Sequence, residues 1–231
     1  MLKKANKNQK AVFHVLQIAV IEFLWALIFR GLFHRMGWLA SAEDASFRNA
    51  VTLLWQTALF MVPAISHLIL SLIEHRKNFF AVYGLQLPER RLRWIPLTIG
   101  ALYAGMVITA AVLNKHAGYT VFLGVFLLVF SGILEEFIFR GLMDEHMQHH
   151  EKKWIQWILP ALLFMIVRLA GPLAQEKLHS AADWIHILLE AGFFFSIGIL
   201  MKYSKRVSGT LITPVFLLSM IEFFELAQNI N

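Results

Sequence analysis

The sequence predicts an all-α fold, a polytopic membrane helix bundle with about seven transmembrane helices. Three observations carry that expectation. Of the 231 residues, 58% are hydrophobic and 16% are charged, where a soluble globular domain has about 45–50% and about 25%. The mean hydropathy is +0.61. The apolar residues also gather in runs of roughly 20, the length that crosses a bilayer as a helix. So large an apolar excess cannot be hidden in one aqueous core. It excludes an ordinary soluble enzyme, a disordered chain and a small disulfide scaffold.

The spans are expected at 11–33, 50–73, 94–113, 121–143, 154–174, 184–203 and 209–227. Lipid offers no partner to backbone amides, so each is expected to be a helix. The stretches are too long and too uniformly apolar for barrel strands. The first follows the basic start Met1-Leu2-Lys3-Lys4. It is too long for a signal-peptide core and lacks a small-residue cleavage site, so it reads as a retained span. The connections are short, which makes 1–231 a single transmembrane domain: N-terminal helices with a basic loop over 1–120, and a core over 121–227. No internal repeat or low-complexity tract is present.

Charge orients these spans. Lys3, Lys4, Lys7, Lys10, Arg76, Lys77, Arg90, Arg91, Arg93, Lys152, Lys153, Lys202, Lys205 and Arg206 fall on one side, against Arg35, Arg48, Lys115 and Lys177 on the other. The positive-inside rule then places the N-terminus in the cytoplasm, and an odd number of spans places the C-terminus outside the cell membrane. The net charge of +6 reads as basic cytoplasmic loops and not as a nucleic-acid surface. Membrane lipids are the expected surroundings. Between Arg76 and Arg93 the loop also carries Phe79, Phe80, Val82, Tyr83 and Leu85, flanked by the basic residues. That mixture suits an interfacial segment touching anionic headgroups, or else an ordinary positive-inside loop.

Ionisable groups inside a span are costly unless paired or hydrated, and so mark functional positions. They are Glu22, Arg30, Glu135, Glu136, Arg140, Arg168, Glu190, Glu222 and Glu225; Arg30, Glu190 and Glu225 stand near span ends, where they can snorkel. The dense group is Glu135-Glu136-Phe137-Ile138-Phe139-Arg140 in the fourth span. On an α-helix Glu136 and Arg140 share a face and can pair. Glu135 points about 100° away, towards a neighbouring helix or a cavity. Two adjacent carboxylates repel each other, and a carboxylate in a dry site is a candidate general base. A charge cluster that staples helices together is the competing reading. Arg168 lies deep in the fifth span and needs a carboxylate partner. Glu135 is the nearest by depth, with Glu136 and Glu222 as competitors, and Ser219 comes to a similar depth on the last span.

Glu135-Glu136-x-x-x-Arg140, followed by Gly141-Leu142, resembles the first motif of the CAAX-protease and bacteriocin-processing membrane proteins. That family contains type II CAAX prenyl endopeptidases and self-immunity proteins of bacteriocin clusters. The resemblance runs from about Val121 to the C-terminus. It implies an intramembrane protease in which Glu135 activates water while Glu136 and Arg140 orient it. It also implies a Phe-x-x-x-His motif on the next helix, where this chain has Phe164-Met165-Ile166-Val167-Arg168. A final His-x-x-x-Asn motif should follow Gly209-Thr210-Leu211-Ile212-Thr213-Pro214; Ser219 and Phe223 stand there instead. Water attack on an amide needs a base and a donor for the developing oxyanion, and losing one donor costs about 100–1000-fold in rate. Arg168 can donate, but its fixed charge beside Glu135 weakens that group as a base.

The expectation is therefore a family member with weakened or lost peptidase activity. It would keep a glutamate-centred cavity for a membrane-embedded peptide or a partner transmembrane protein, with Phe164, Ser219 and Glu222 lining it. An active endopeptidase using Glu135, and a transporter, are the alternatives. No cofactor and no metal is expected. Cysteine is absent, which removes disulfides, thiolate ligands and thiol nucleophiles. His146, His149 and His150 have a spacing that can hold zinc on a helix, although polar clusters at a membrane exit are commonplace. His179 and His186 could supply an imidazole from the sixth span, and His67 reads as a buried hydrogen-bonding residue. There is no His-Glu-x-x-His, P-loop, dinucleotide or Gly-x-Ser-x-Gly motif.

Overall fold

A computed structural model describes residues 2–39, 46–148, 150–175 and 181–227. Among these residues every regular element is helical. We label them α1 (Leu2–Arg35), α2 (Phe47–Phe60), α3 (Val62–Glu74), α4 (Phe79–Val82), α5 (Trp94–Leu113), α6 (Ala117–Met147), α7 (Lys153–Gln175), α8 (Ala181–Ser208) and α9 (Ile212–Ala227). Among the described residues, five helical stretches are long and apolar enough to cross a membrane: Asn8–Arg35, Trp94–Leu113, Ala117–Met147, Lys153–Ala174 and Ala181–Ser208. The chain is a multi-pass, all-α membrane protein.

The expected count of about seven is not confirmed: the described residues offer five such helices, or six if one bent pair is a single span. The second span is broken: α2 and α3 meet at a bend of 61°, and only together do they make a sixth crossing. Pro63 stands in the first turn of α3. Lacking an N–H, it cannot bond back into α2, and its fixed φ suits a helix start. Ser46 begins α2 by accepting a hydrogen bond from the Asn49 amide. The last helix, α9, has 16 residues, about 24 Å of rise, short of the ~30 Å hydrocarbon layer. It starts late because Gly209 takes a φ of 70°, a left-handed conformation that ends α8 and that other residues adopt at a cost.

Two compact units form. One comprises Met1–Trp38 with Ile138–Tyr203. In it α1 lies along α7 and against the last turns of α6. Gly171 leaves the groove that takes the Arg30 guanidinium, which a side chain there would strike. Arg30 therefore packs against a neighbouring helix instead of reaching freely for the interface. Lys202, expected in a basic loop, is still within α8. Its ammonium pairs with Asp144 at 2.5 Å and donates to the Gln156 carbonyl.

The second unit comprises Leu39–Phe137 with Ser204–Asn231. Here α9 packs on α5 and on the first half of α6. Its core is aromatic: Tyr103, Tyr119, Leu123, Phe126, Leu127 and Phe223 are buried together. The Tyr103 hydroxyl donates to the Gly124 carbonyl at 2.5 Å, which satisfies a polar group that the core would otherwise strand.

The basic segment after α3 is held against the α8–α9 turn. Thr210 Oγ1 donates to the Gly84 and Gln86 carbonyls at 3.0 and 2.8 Å. The Leu211 amide donates to Gly84 at 2.7 Å. Phe79 and Tyr83 turn inward, with ring centroids 5.8 and 5.0 Å from Phe137. These two aromatics of the segment are therefore buried core residues. Thr210→Val should cost about 0.5–1.5 kcal/mol, the net worth of the hydroxyl's hydrogen bond, since the Gly84 carbonyl keeps the Leu211 amide. Thermal unfolding in detergent and faster tryptic cleavage at Arg90–Arg91 would both show it. Unchanged cleavage would mean that the hydroxyl does not hold the loop.

Candidate functional site

The helix that carries the acidic pair is not a regular α-helix. It is α-helical from Ala117 to Leu127, π-helical over Leu128–Glu135 and Phe137–Leu142, and α-helical again from Met143. A π-turn closes hydrogen bonds five residues apart, puts more residues in each turn, and recurs at functional positions. This corrects the α-helical premise. Glu135 closes the first π-helical stretch, and Glu136, between the two, keeps α-region dihedrals of −64° and −33°. The two residues differ in burial: Glu136 is fully buried and Glu135 half-buried.

Ser219 comes to the same helix. It is fully buried on α9, and its Oγ donates to the Val215 carbonyl of its own helix at 2.8 Å. Facing it on the π-helical stretch is Gly132. A Cβ there would strike Ser219 Oγ and lie 2.9 Å from the Val215 carbonyl oxygen. The two helices meet backbone to backbone, with no space beyond the serine hydroxyl. Four residues on, Phe223 is sealed in the aromatic core, its ring 6.2 Å from that of Tyr103. Glu222, between them, is half-buried. Thr213 was not among the expected site residues. Its hydroxyl is buried with no hydrogen-bond partner among the described residues. The only sequence signal for it is its place before Pro214.

In the other unit, Phe164 gathers the two arginines. It is fully buried on α7. The Arg140 guanidinium carbon lies 4.3 Å from the ring centroid and that of Arg168 5.4 Å. The Phe139 ring meets Phe164 edge-on at 5.2 Å. Arg140 Nη2 also donates to the Gly198 carbonyl at 3.2 Å. That carbonyl is reachable because Gly198 has no side chain where α8 presses on Ala161. Phe164 thus contributes an electron-rich face for two cations, a role that spacing alone did not reveal.

The histidine readings fare less well. The helix ends at Met147, so His150 has left it, and its Nδ1 accepts from the Lys152 amide at 3.2 Å. Helical spacing cannot bring His150 to His146, whose ring lies 5.8 Å from that of His14. His149 and His179 lie outside the described residues. Among the described residues no group of three His, Asp or Glu side chains is arranged to hold a metal.

Helices long enough to cross a membrane, with ionisable side chains concentrated on one π-wound span, define a polytopic intramembrane protein built around buried charge. Residues 116–224 match the family model described as Rce1-like, type II CAAX prenyl endopeptidase Rce1-like. Through that segment, a little under half of its length, the chain is similar to the CAAX-protease family. All the expected site residues, from Glu135 to Glu222, fall inside the match; the basic segment before α5 does not. No curated protein and no solved structure matches the chain.

Proposed function

We propose that this protein is a CAAX-protease-like membrane protein that has lost efficient peptide hydrolysis. It keeps Glu135 and Glu136 as the polar centre of a cavity for a membrane-embedded peptide or a partner helix. The observation that carries this reading is Ser219. Where family members are expected to place an imidazole, its hydroxyl is committed to its own helix and pressed against Gly132. An imidazole would need the helices to part. Two further residues support the reading. Phe223, at the asparagine position, is an apolar core residue. Arg168, at the other histidine position, carries a charge that does not titrate near neutral pH, whereas acid–base chemistry uses a group that does. Ser219 and Phe223 thus take two polar groups away from the site that the resemblance implies, and losing one oxyanion donor costs about 100–1000-fold. The basic N-terminus and basic loops favour a cytoplasmic N-terminus in the cell membrane.

The test is a hydrolysis assay on the full chain in detergent, with a prenylated C-terminal peptide and an unmodified transmembrane peptide. The expected result is no cleavage above a Glu135→Ala control, together with retained peptide binding. Cleavage that Glu135→Ala abolishes would establish the alternative, an active endopeptidase with Glu135 as base.

A further inference from the structure

The segment from Arg76 to Trp94 has two faces. Its inner face is fixed at three places within its own unit. Phe79 and Tyr83 pack on Phe137. Gly84 and Gln86 accept from Thr210. Pro88 and Leu92 lie against Gly209, 3.8 and 3.9 Å from where its Cβ would be. The outer face carries Phe80, Leu87 and Trp94, exposed to 60, 52 and 63%. Beside them Arg76, Lys77, Arg90 and Arg91 are exposed. Arg93 Nε is turned back onto the Pro88 carbonyl at 3.1 Å. A further basic side chain comes from α8, where Lys205 Cε reaches within 3.8 Å of the Cβ position of Gly84. Glu89 is the one acid within this segment and Glu74 stands just before it, too few to neutralise the cations.

Neither bulk phase suits this face. The hydrocarbon layer rejects unpaired guanidinium and ammonium groups, and water gains nothing from exposed Phe and Trp. The headgroup zone accepts both, with rings at the acyl boundary and cations among phosphates. We propose that Arg76–Trp94 is a rigid platform that binds anionic phospholipid headgroups of the surrounding bilayer. The excess of cations over Glu74 and Glu89 selects anionic over zwitterionic lipid. The latch to Thr210 presents the platform already folded, so binding loses little ordering entropy. This surface lies outside the family-matched segment, and the proposal does not depend on whether the protein cleaves peptides.

The chain has no cysteine, so Leu87→Cys carries a single fluorophore at the centre of the platform. The labelled full-length protein is placed in phosphatidylcholine nanodiscs containing a small fraction of headgroup spin-labelled lipid, either phosphatidylglycerol or phosphatidylcholine. Each basic residue near a membrane surface adds up to about fivefold of preference for anionic lipid at low salt. Quenching by the anionic probe should therefore exceed that by the neutral probe by at least ~5-fold, and fall to parity in 1 M salt. It should also fall to parity in Arg76→Gln/Lys77→Gln/Arg90→Gln/Arg91→Gln, while Arg35→Gln/Lys115→Gln keeps the preference. Circular dichroism and gel filtration confirm that each variant is folded. Parity in the unsubstituted chain, or a preference that survives removal of the four charges, overturns the proposal. Parity would instead leave the face to a protein partner.

Discussion

Phe164→Ala is expected to lower the stability of the protein by about 3–5 kcal/mol, the range for truncating a fully buried aromatic ring. Phe164 has no exposed surface, and it lies under Arg140 and beside Arg168. Its loss opens a cavity and leaves two cations without the π face that attracts them. Phe164→Leu separates the two effects, since it keeps most of the volume and none of the quadrupole. We expect it to retain part of the loss, about 1–2 kcal/mol. Thermal or denaturant unfolding in one detergent, with all three proteins side by side, reads both numbers. A silent Phe164→Leu would show that the ring acts only as filler.

Gly132→Ala should have the second-largest effect, about 1–3 kcal/mol of overpacking strain. The new methyl meets Ser219 Oγ and, at 2.9 Å, a backbone oxygen of α9. A backbone oxygen cannot rotate away, so the helices themselves have to shift. Ser219→Ala removes the nearer of the two obstacles. Combined with Gly132→Ala, it should recover part of the loss, giving non-additive effects for a pair in contact. Additive losses would place the strain elsewhere. The same geometry bears on larger side chains at Ser219: an imidazole there has to open this helix contact first.

The class of fold was legible because membrane helices must satisfy their own backbone and must be apolar over a bilayer's thickness. Both constraints are written locally. Trp94–Leu113 appears as anticipated to the residue. The break in the second span was not legible because Pro63 is one residue in a continuous apolar run: hydropathy averages over it, whereas the hydrogen-bond ladder does not. The last span was drawn too long because Gly209 is as apolar-compatible as its neighbours but takes a left-handed φ.

The candidate site was half legible. Charges stand out in a greasy sequence, so Glu135, Glu136, Arg140 and Arg168 could be picked out one by one. What each touches depends on helix register and crossing. The π winding of α6 breaks the register rule by which face-sharing was inferred. Composition and local pattern alone determined that the chain is helical, membrane-spanning and built around buried charge. Tertiary structure decided that Ser219 is closed in by Gly132, that Phe164 serves two arginines, and that Phe79 and Tyr83 face inward while Phe80 does not. The reason is physical: hydrophobicity is a property of a residue in any neighbourhood, whereas packing and pairing exist only between surfaces that the fold has brought together.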